Sequence, residues 1–189
     1  MRTVLLTSLI VLFTIPTSSL QAAGPLKISR YGVSAHIGYT TPTNVEHLDS
    51  ESTALTGFRV NWQHKKKHWV AYAGWTQGNF KSNDDGDVDI QQVSLGLKRH
   101  TGWSNNIFYS RFGVHVTREK VGALVPGSAA DTDAKNRTLT GLHGGIGLEF
   151  FPDKQFSVSL EPIHFAASWG QTHSNLSYWC GQAELTVYF

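Results

Sequence analysis

The chain has 189 residues, enough for one domain once a removable leader is allowed for. Its 16 Lys and Arg nearly balance 14 Asp and Glu, which excludes the basic surplus expected of a nucleic-acid binder. A single cysteine excludes an internal disulfide, and past the leader no run of about twenty apolar residues offers a membrane-spanning helix.

Residues 1–23 read as a secretory signal peptide. Arg2 precedes an apolar run from Val4 to Ile15, then Pro16 and small residues lead to Leu20-Gln21-Ala22-Ala23, with cleavage after Ala22 or Ala23. Losing Arg2 leaves 15 basic against 14 acidic residues in the remaining 24–189. No cysteine follows the apolar run, so a lipoprotein anchor is not expected.

The rest alternates with a period of two, the signature of strands with one apolar and one polar face. Expected strands cover 30–41, 52–63, 68–78, 88–100, 106–118, 137–151, 155–166 and 176–189. The first sets Tyr31, Val33, Ala35, Ile37 and Tyr39 against Gly32, Ser34, His36 and Gly38. The second sets Phe58, Val60 and Trp62 against Arg59 and Asn61, and the fourth sets Val93, Leu95 and Leu97 against Ser94 and Lys98. The third is apolar on both faces, so its phase stays open.

In the fifth, Phe108, Phe112, Val114 and Val116 oppose Tyr109, Arg111 and His115. In the sixth, Leu142, Ile146, Leu148 and Phe150 oppose His143 and Glu149. In the seventh, Phe156, Val158 and Leu160 oppose Ser157, Ser159 and Glu161. The eighth puts Trp179, Gly181, Ala183, Leu185, Val187 and Phe189 on one face and Cys180, Gln182, Glu184, Thr186 and Tyr188 on the other.

Connections after the even strands are short, and those after the odd strands (41–51, 79–87, 119–136 and 167–175) are longer and polar. That is the asymmetry of a barrel with periplasmic turns and extracellular loops. Tyr31, Trp62, Trp69, Trp103, Phe150 and Phe189 fall near the short-turn end, and Tyr39, Trp75, Phe80, Trp169 and Trp179 near the other, as two aromatic girdles. The last strand needs partners on both sides, which closure onto the first provides. The expected fold is all-β, an eight-stranded antiparallel up-and-down transmembrane barrel of meander topology. A soluble lipocalin-like carrier shares that topology, but is apolar inside and polar outside; the first strand lacks a Gly-x-Trp resembling the lipocalin signature.

Opposite the apolar stripe lie Arg59, Lys98, Arg111, Glu149, Glu161 and Glu184, three charges of each sign. Buried charges persist when paired and hydrogen-bonded, so a neutral ion-pair network filling the lumen is expected. A barrel of this size is just wide enough for side chains to fill it.

The closing stretch, alternating apolar residues ending in Phe189, resembles the C-terminal signature of bacterial outer-membrane barrels, which in that family is read by the assembly machinery. With the leader, the alternating strands and the charged lumen, the whole mature chain resembles the small eight-stranded outer-membrane barrels: the transmembrane domain of OmpA, OmpX, Ail and the opacity proteins. No peptidoglycan-binding segment follows, so the likeness is to barrel-only members. In those relatives the outer loops carry adhesion or serum-resistance functions.

An enzymatic alternative also rests on resemblance. The stretch from Leu142 to Phe150, followed by Glu161-Pro162-Ile163-His164-Phe165-Ala166-Ala167, is loosely similar to the catalytic region of lipid A 3-O-deacylases. His164 falls at the catalytic histidine, but Ala166 stands where the nucleophilic serine would be. Without a nucleophile no acyl intermediate forms. His173-Ser174-Asn175, with Glu184 downstream, is the other candidate. Adjacent residues on an extended strand face opposite ways, so this pair needs a loop conformation to meet. Lipid A palmitoyltransferases share the barrel size, but no matching Asp-Ser pair is present.

His36, His115 and His143 face inward by phase, and are read as lumen-filling imidazoles rather than metal ligands. The acidic turn at Asp84, Asp85, Asp87 and Asp89 departs from EF-hand spacing. No cofactor and no metal is called for. The expected role is structural and surface-interacting, of adhesion type, in the bacterial outer membrane. The expected partners are membrane lipid and lipopolysaccharide, the barrel-assembly machinery, and host or surface proteins meeting the loops.

Overall fold

The computed structural model describes residues 30–45, 52–63, 68–80, 88–101, 106–121, 136–151, 155–170 and 175–189. The leader, Trp103, the acidic turn up to Asp87 and most of the long connections lie outside them.

The described residues form eight strands: β1 (Arg30–Val45), β2 (Thr53–Gln63), β3 (Trp69–Phe80), β4 (Val88–Thr101), β5 (Asn106–Val121), β6 (Asn136–Phe150), β7 (Phe156–Trp169) and β8 (Asn175–Tyr188). Each pairs antiparallel with its sequence neighbour, and β8 pairs with β1, so the sheet is a closed barrel. Closure reaches the last residue: Tyr31 N–H donates to the Phe189 carbonyl at 3.2 Å, and Phe189 N–H to that of Tyr31 at 3.0 Å. Among the described residues there is accordingly no free sheet edge, the condition for β-structure in hydrocarbon.

The barrel is turned inside out relative to a soluble one. Ile37 and Val93 are 57 % and 58 % exposed on the outer face, whereas Arg111 and Lys98 are 1 % exposed inside. This is the reverse of the lipocalin arrangement. Strands of 11 to 16 residues meet or exceed the 9–11 or so that a tilted strand needs to cross the apolar layer.

The phase of β3 is resolved by its neighbours: Val70, Tyr72, Gly74 and Thr76 face inward, with Trp69, Ala73 and Gln77 outward. The odd strands run further into the long connections than alternation suggests, to Val45, Phe80, Val121 and Trp169. β6 ends at Phe150 because Phe151 takes a left-handed conformation (φ 59°) that no strand continues through.

Strand β7 holds one extra residue. Glu161 pairs with Gln182 but His164 with Cys180, so three steps on β7 match two on β8. The same shift recurs against β6, between Ile146 and Leu148. Such a bulge leaves one backbone unit out of the ladder. Proline at position 162, having no N–H, removes one donor that would otherwise need a partner there. Beyond it the facing inverts, so that Glu161, His164, Ala166 and Ser168 are all buried.

Candidate functional site: the filled lumen

The interior is layered. At the short-turn end, Glu149 accepts from four side chains: Lys98 Nζ at 2.7 Å, Ser157 Oγ at 2.7 Å, Tyr188 Oη at 2.9 Å and His100 Nε2 at 2.9 Å. The donors come from β4, β7 and β8, so one carboxylate on β6 ties together the base of the barrel. Beside it, Arg30 lies over the Tyr188 ring, 3.9 Å from its centroid.

Above this base, Arg111 reaches two carboxylates, with Nη2 at 2.8 Å from Glu184 Oε2 and Nε at 3.5 Å from Glu161 Oε2. Arg59 pairs with the same Glu184 oxygen and also donates to Gln182 Oε1 at 3.0 Å. Arg111 Nη1 has no hydrogen-bond partner among the described residues. Its guanidinium instead lies 5.1 Å and 5.6 Å from the ring centroids of Tyr72 and Tyr109, whose faces attract cations. All six charges named from the sequence are therefore in ion pairs, each buried group meeting its opposite.

Three inward tyrosines owe their positions to glycine. Tyr72 is the direct register partner of Gly96, Tyr109 of Gly147 and Tyr188 of Gly32. A Cβ on Gly147 would sit 2.7 Å from Tyr109 Oη, and one on Gly96 would sit 2.6 Å from Tyr72 Cζ. Each ring covers the backbone that its partner leaves bare, and its hydroxyl reaches beyond; Tyr109 donates to Glu161 Oε2 at 2.9 Å.

Next comes a layer of imidazoles. His115 Nδ1 lies 3.3 Å from His143 Nδ1, and His143 stacks on His164 with centroids 5.7 Å apart. One set of tautomers orients a continuous chain. Ser168 O–H donates to His115 Nε2 (2.7 Å), His115 Nδ1–H to His143 Nδ1, and His143 Nε2–H to Tyr72 Oη (2.5 Å). Ser168 is fully buried, so its pairing with His115 satisfies two lumen groups and presents no nucleophile to solvent. His36 bonds Thr76 at 3.0 Å. Among the described residues no three His, Cys, Asp or Glu side chains gather as metal ligands.

The layer nearest the long connections is apolar: Leu55, Phe80, Val88, Ile90, Leu139, Ala166, Leu176, Tyr178 and Cys180. This corrects the expectation of a lumen polar throughout, and of Phe80 as a girdle residue. Phe80 is fully buried and its ring faces Tyr178, centroids 6.3 Å apart. Between this layer and the charges remains a space of about 20 Å³, room for a single water.

His173 and Ser174 lie outside the described residues. Of the other deacylase candidates, His164 Nδ1 lies 2.6 Å from Glu161 Oε1, and Glu184 is occupied by Arg59 and Arg111. Position 166 is a buried alanine in the apolar layer.

A closed, inside-out barrel of eight strands with a side-chain-filled interior is the class of the small outer-membrane β-barrels. Among solved structures it is similar to Neisserial surface protein A, at 12% identity over 84% of this chain and 97% of that one, with a TM-score of 0.67. It is also similar to Ail, the attachment invasion locus protein of Yersinia pestis (12% identity, 88% and 99% covered, TM-score 0.52). A third likeness is to outer membrane protein OprG from Pseudomonas aeruginosa (15% identity, 90% and 98% covered, TM-score 0.52). At such identities the likeness is one of fold. No family model matches the chain. No curated protein matches it in sequence.

Proposed function

We propose that this barrel is a bacterial outer-membrane scaffold whose role is structural and surface-interacting, of adhesion type, exercised by the long connections. The observation that carries this reading is the filled lumen. Among the described residues, ion pairs fill the short-turn half, packed apolar side chains fill the other, and a water-sized space lies between. An interior so occupied stabilises the barrel and leaves function to what the strands hold up at their ends. That an attachment invasion protein is built on the same fold supports the reading without naming a ligand.

The longest connection, 122–135, contains Gly122-Ala123-Leu124-Val125-Pro126, an apolar stretch suited to a protein contact. The test is to replace 122–135 by a short Gly-Ser turn in cells displaying the protein, then measure attachment to host cells and capture of serum proteins. Reduced binding, with heat-modifiable gel migration showing a folded barrel, is expected. Unchanged binding on every surface tried would sink the proposal.

A further inference from the structure

The outer surface of β2 to β5 changes character along the barrel. Register pairs Phe58 with Trp75, Trp75 with Val93, and Val93 with Val116, an apolar row facing outward across four strands. Phe58 and Trp75 are in ring contact there, with centroids 5.6 Å apart.

One step toward the long connections the chemistry changes completely. Thr56 pairs with Gln77, Gln77 with Gln91, and Gln91 with Arg118; the next step pairs Asn79 with Asp89 and Asp89 with Lys120. Thr56, Gln77, Gln91, Arg118 and Lys120 are exposed on this outer face. Together they line a cleft of about 610 Å³. Among the described residues neither Arg118 nor Lys120 has a carboxylate within ion-pair distance, and Asp89 is engaged by Asn79 Nδ2 at 2.7 Å.

We propose that this cleft binds the phosphorylated headgroup of an outer-leaflet glycolipid. The apolar row takes the acyl chains, the two glutamines and Thr56 hydrogen-bond sugar or amide groups, and Arg118 and Lys120 hold phosphate. The occupant follows from the order of the rows: apolar surface, then neutral hydrogen-bonding groups, then cations matches such a lipid from tail to headgroup. A free anion would use only the last of these, and a protein partner would have no need of the first. Arginine offers phosphate a bidentate fork and lysine a point charge, so the pair suits an anion with several oxygens.

The test uses the purified full-length barrel in neutral detergent, with retained lipid counted by native mass spectrometry. Bis-phosphorylated lipid A, the same lipid A dephosphorylated, and phosphatidylethanolamine are the three probes. The wild type should retain the phosphorylated form, and removing its phosphates should weaken retention on the order of thirtyfold, as expected for losing two surface cation contacts. Arg118→Gln with Lys120→Gln should produce the same loss, whereas Arg99→Gln, at the opposite end of the barrel, should not. Equal retention of phosphorylated and dephosphorylated lipid by the wild type would overturn the proposal, and that arm needs no variant to fold. Displacement of lipid A by inorganic phosphate at equal concentration would also overturn it, reducing the site to one for a free anion.

Discussion

Lys98 Nζ and Glu149 Oε2 are 2.7 Å apart, yet their strands, β4 and β6, are not neighbours. The pair crosses behind β5, so it braces the barrel wall in a direction that no backbone ladder covers. Both side chains are almost wholly buried, which makes the loss of either partner expensive. Glu149→Gln, which keeps the shape but leaves Lys98 uncompensated, should lower unfolding free energy by about 3–5 kcal/mol. Urea titration of the barrel in lipid vesicles checks it, with loss of heat-modifiable gel migration as a second readout.

Arg111 serves two carboxylates and two aromatic faces, whereas Arg59 serves one carboxylate and one amide. Arg111→Met should therefore destabilise more than Arg59→Met. Because both act on the same Glu184 oxygen, a double-mutant cycle should give a coupling between them well outside additivity, roughly 0.5 kcal/mol or more. Additive effects would mean that the shared carboxylate is not their point of contact.

Gly147→Ala should displace the Tyr109 ring and break its bond to Glu161, since the new Cβ meets both that ring and the Leu160 carbonyl oxygen of the neighbouring strand. The lost buried hydrogen bond contributes about 1–3 kcal/mol, and the shift forced on the Leu160 carbonyl adds to it. Tyr109→Phe in the Gly147→Ala background should cost little more, because the hydroxyl contact is already gone. Urea midpoints of the two single variants and the double variant test this.

Phe112 faces outward on β5, in edge contact with Trp69. Phe112→Arg should cost roughly 2–4 kcal/mol in a bilayer, the penalty for an arginine near the middle of the lipid face. Little effect in vesicles would mean that this face does not meet hydrocarbon.

The unmodified barrel in a planar bilayer should carry no steady ionic current, because the apolar layer at Phe80, Ile90 and Leu139 continues the closure that the ion pairs begin. Sustained conductance would contradict that closure.

What was legible in the sequence was whatever a period of two encodes. Arg59, Lys98, Arg111, Glu149, Glu161 and Glu184 alternate with apolar neighbours, so their inward facing could be read residue by residue. Which carboxylate each cation chooses could not, since Lys98 reaches past an intervening strand and Arg59 crosses from β2 to β8. Phe80 defeats a reading by pattern because an aromatic near a strand end looks the same whether it meets the interface or the lumen. Its parity with Thr76 on β3 carried the answer, but that strand is apolar on both faces. The tyrosine–glycine pairs depend on register, which one strand alone does not contain.

The extra residue in β7 makes that strand a sequence with two reading frames spliced at Pro162. Upstream, odd positions point inward; downstream, even ones do. Deleting Pro162 would restore a single frame without exchanging any face: His164, Ala166 and Ser168 would still point inward, Ser168 on the side of the barrel where His115 now finds its partner. Length tolerance here is thus quantised. One residue lost at the bulge would preserve every face, whereas two would exchange the faces of everything that follows. A family alignment drawn by alternation alone would misassign this segment by one position while looking correct on either side of it.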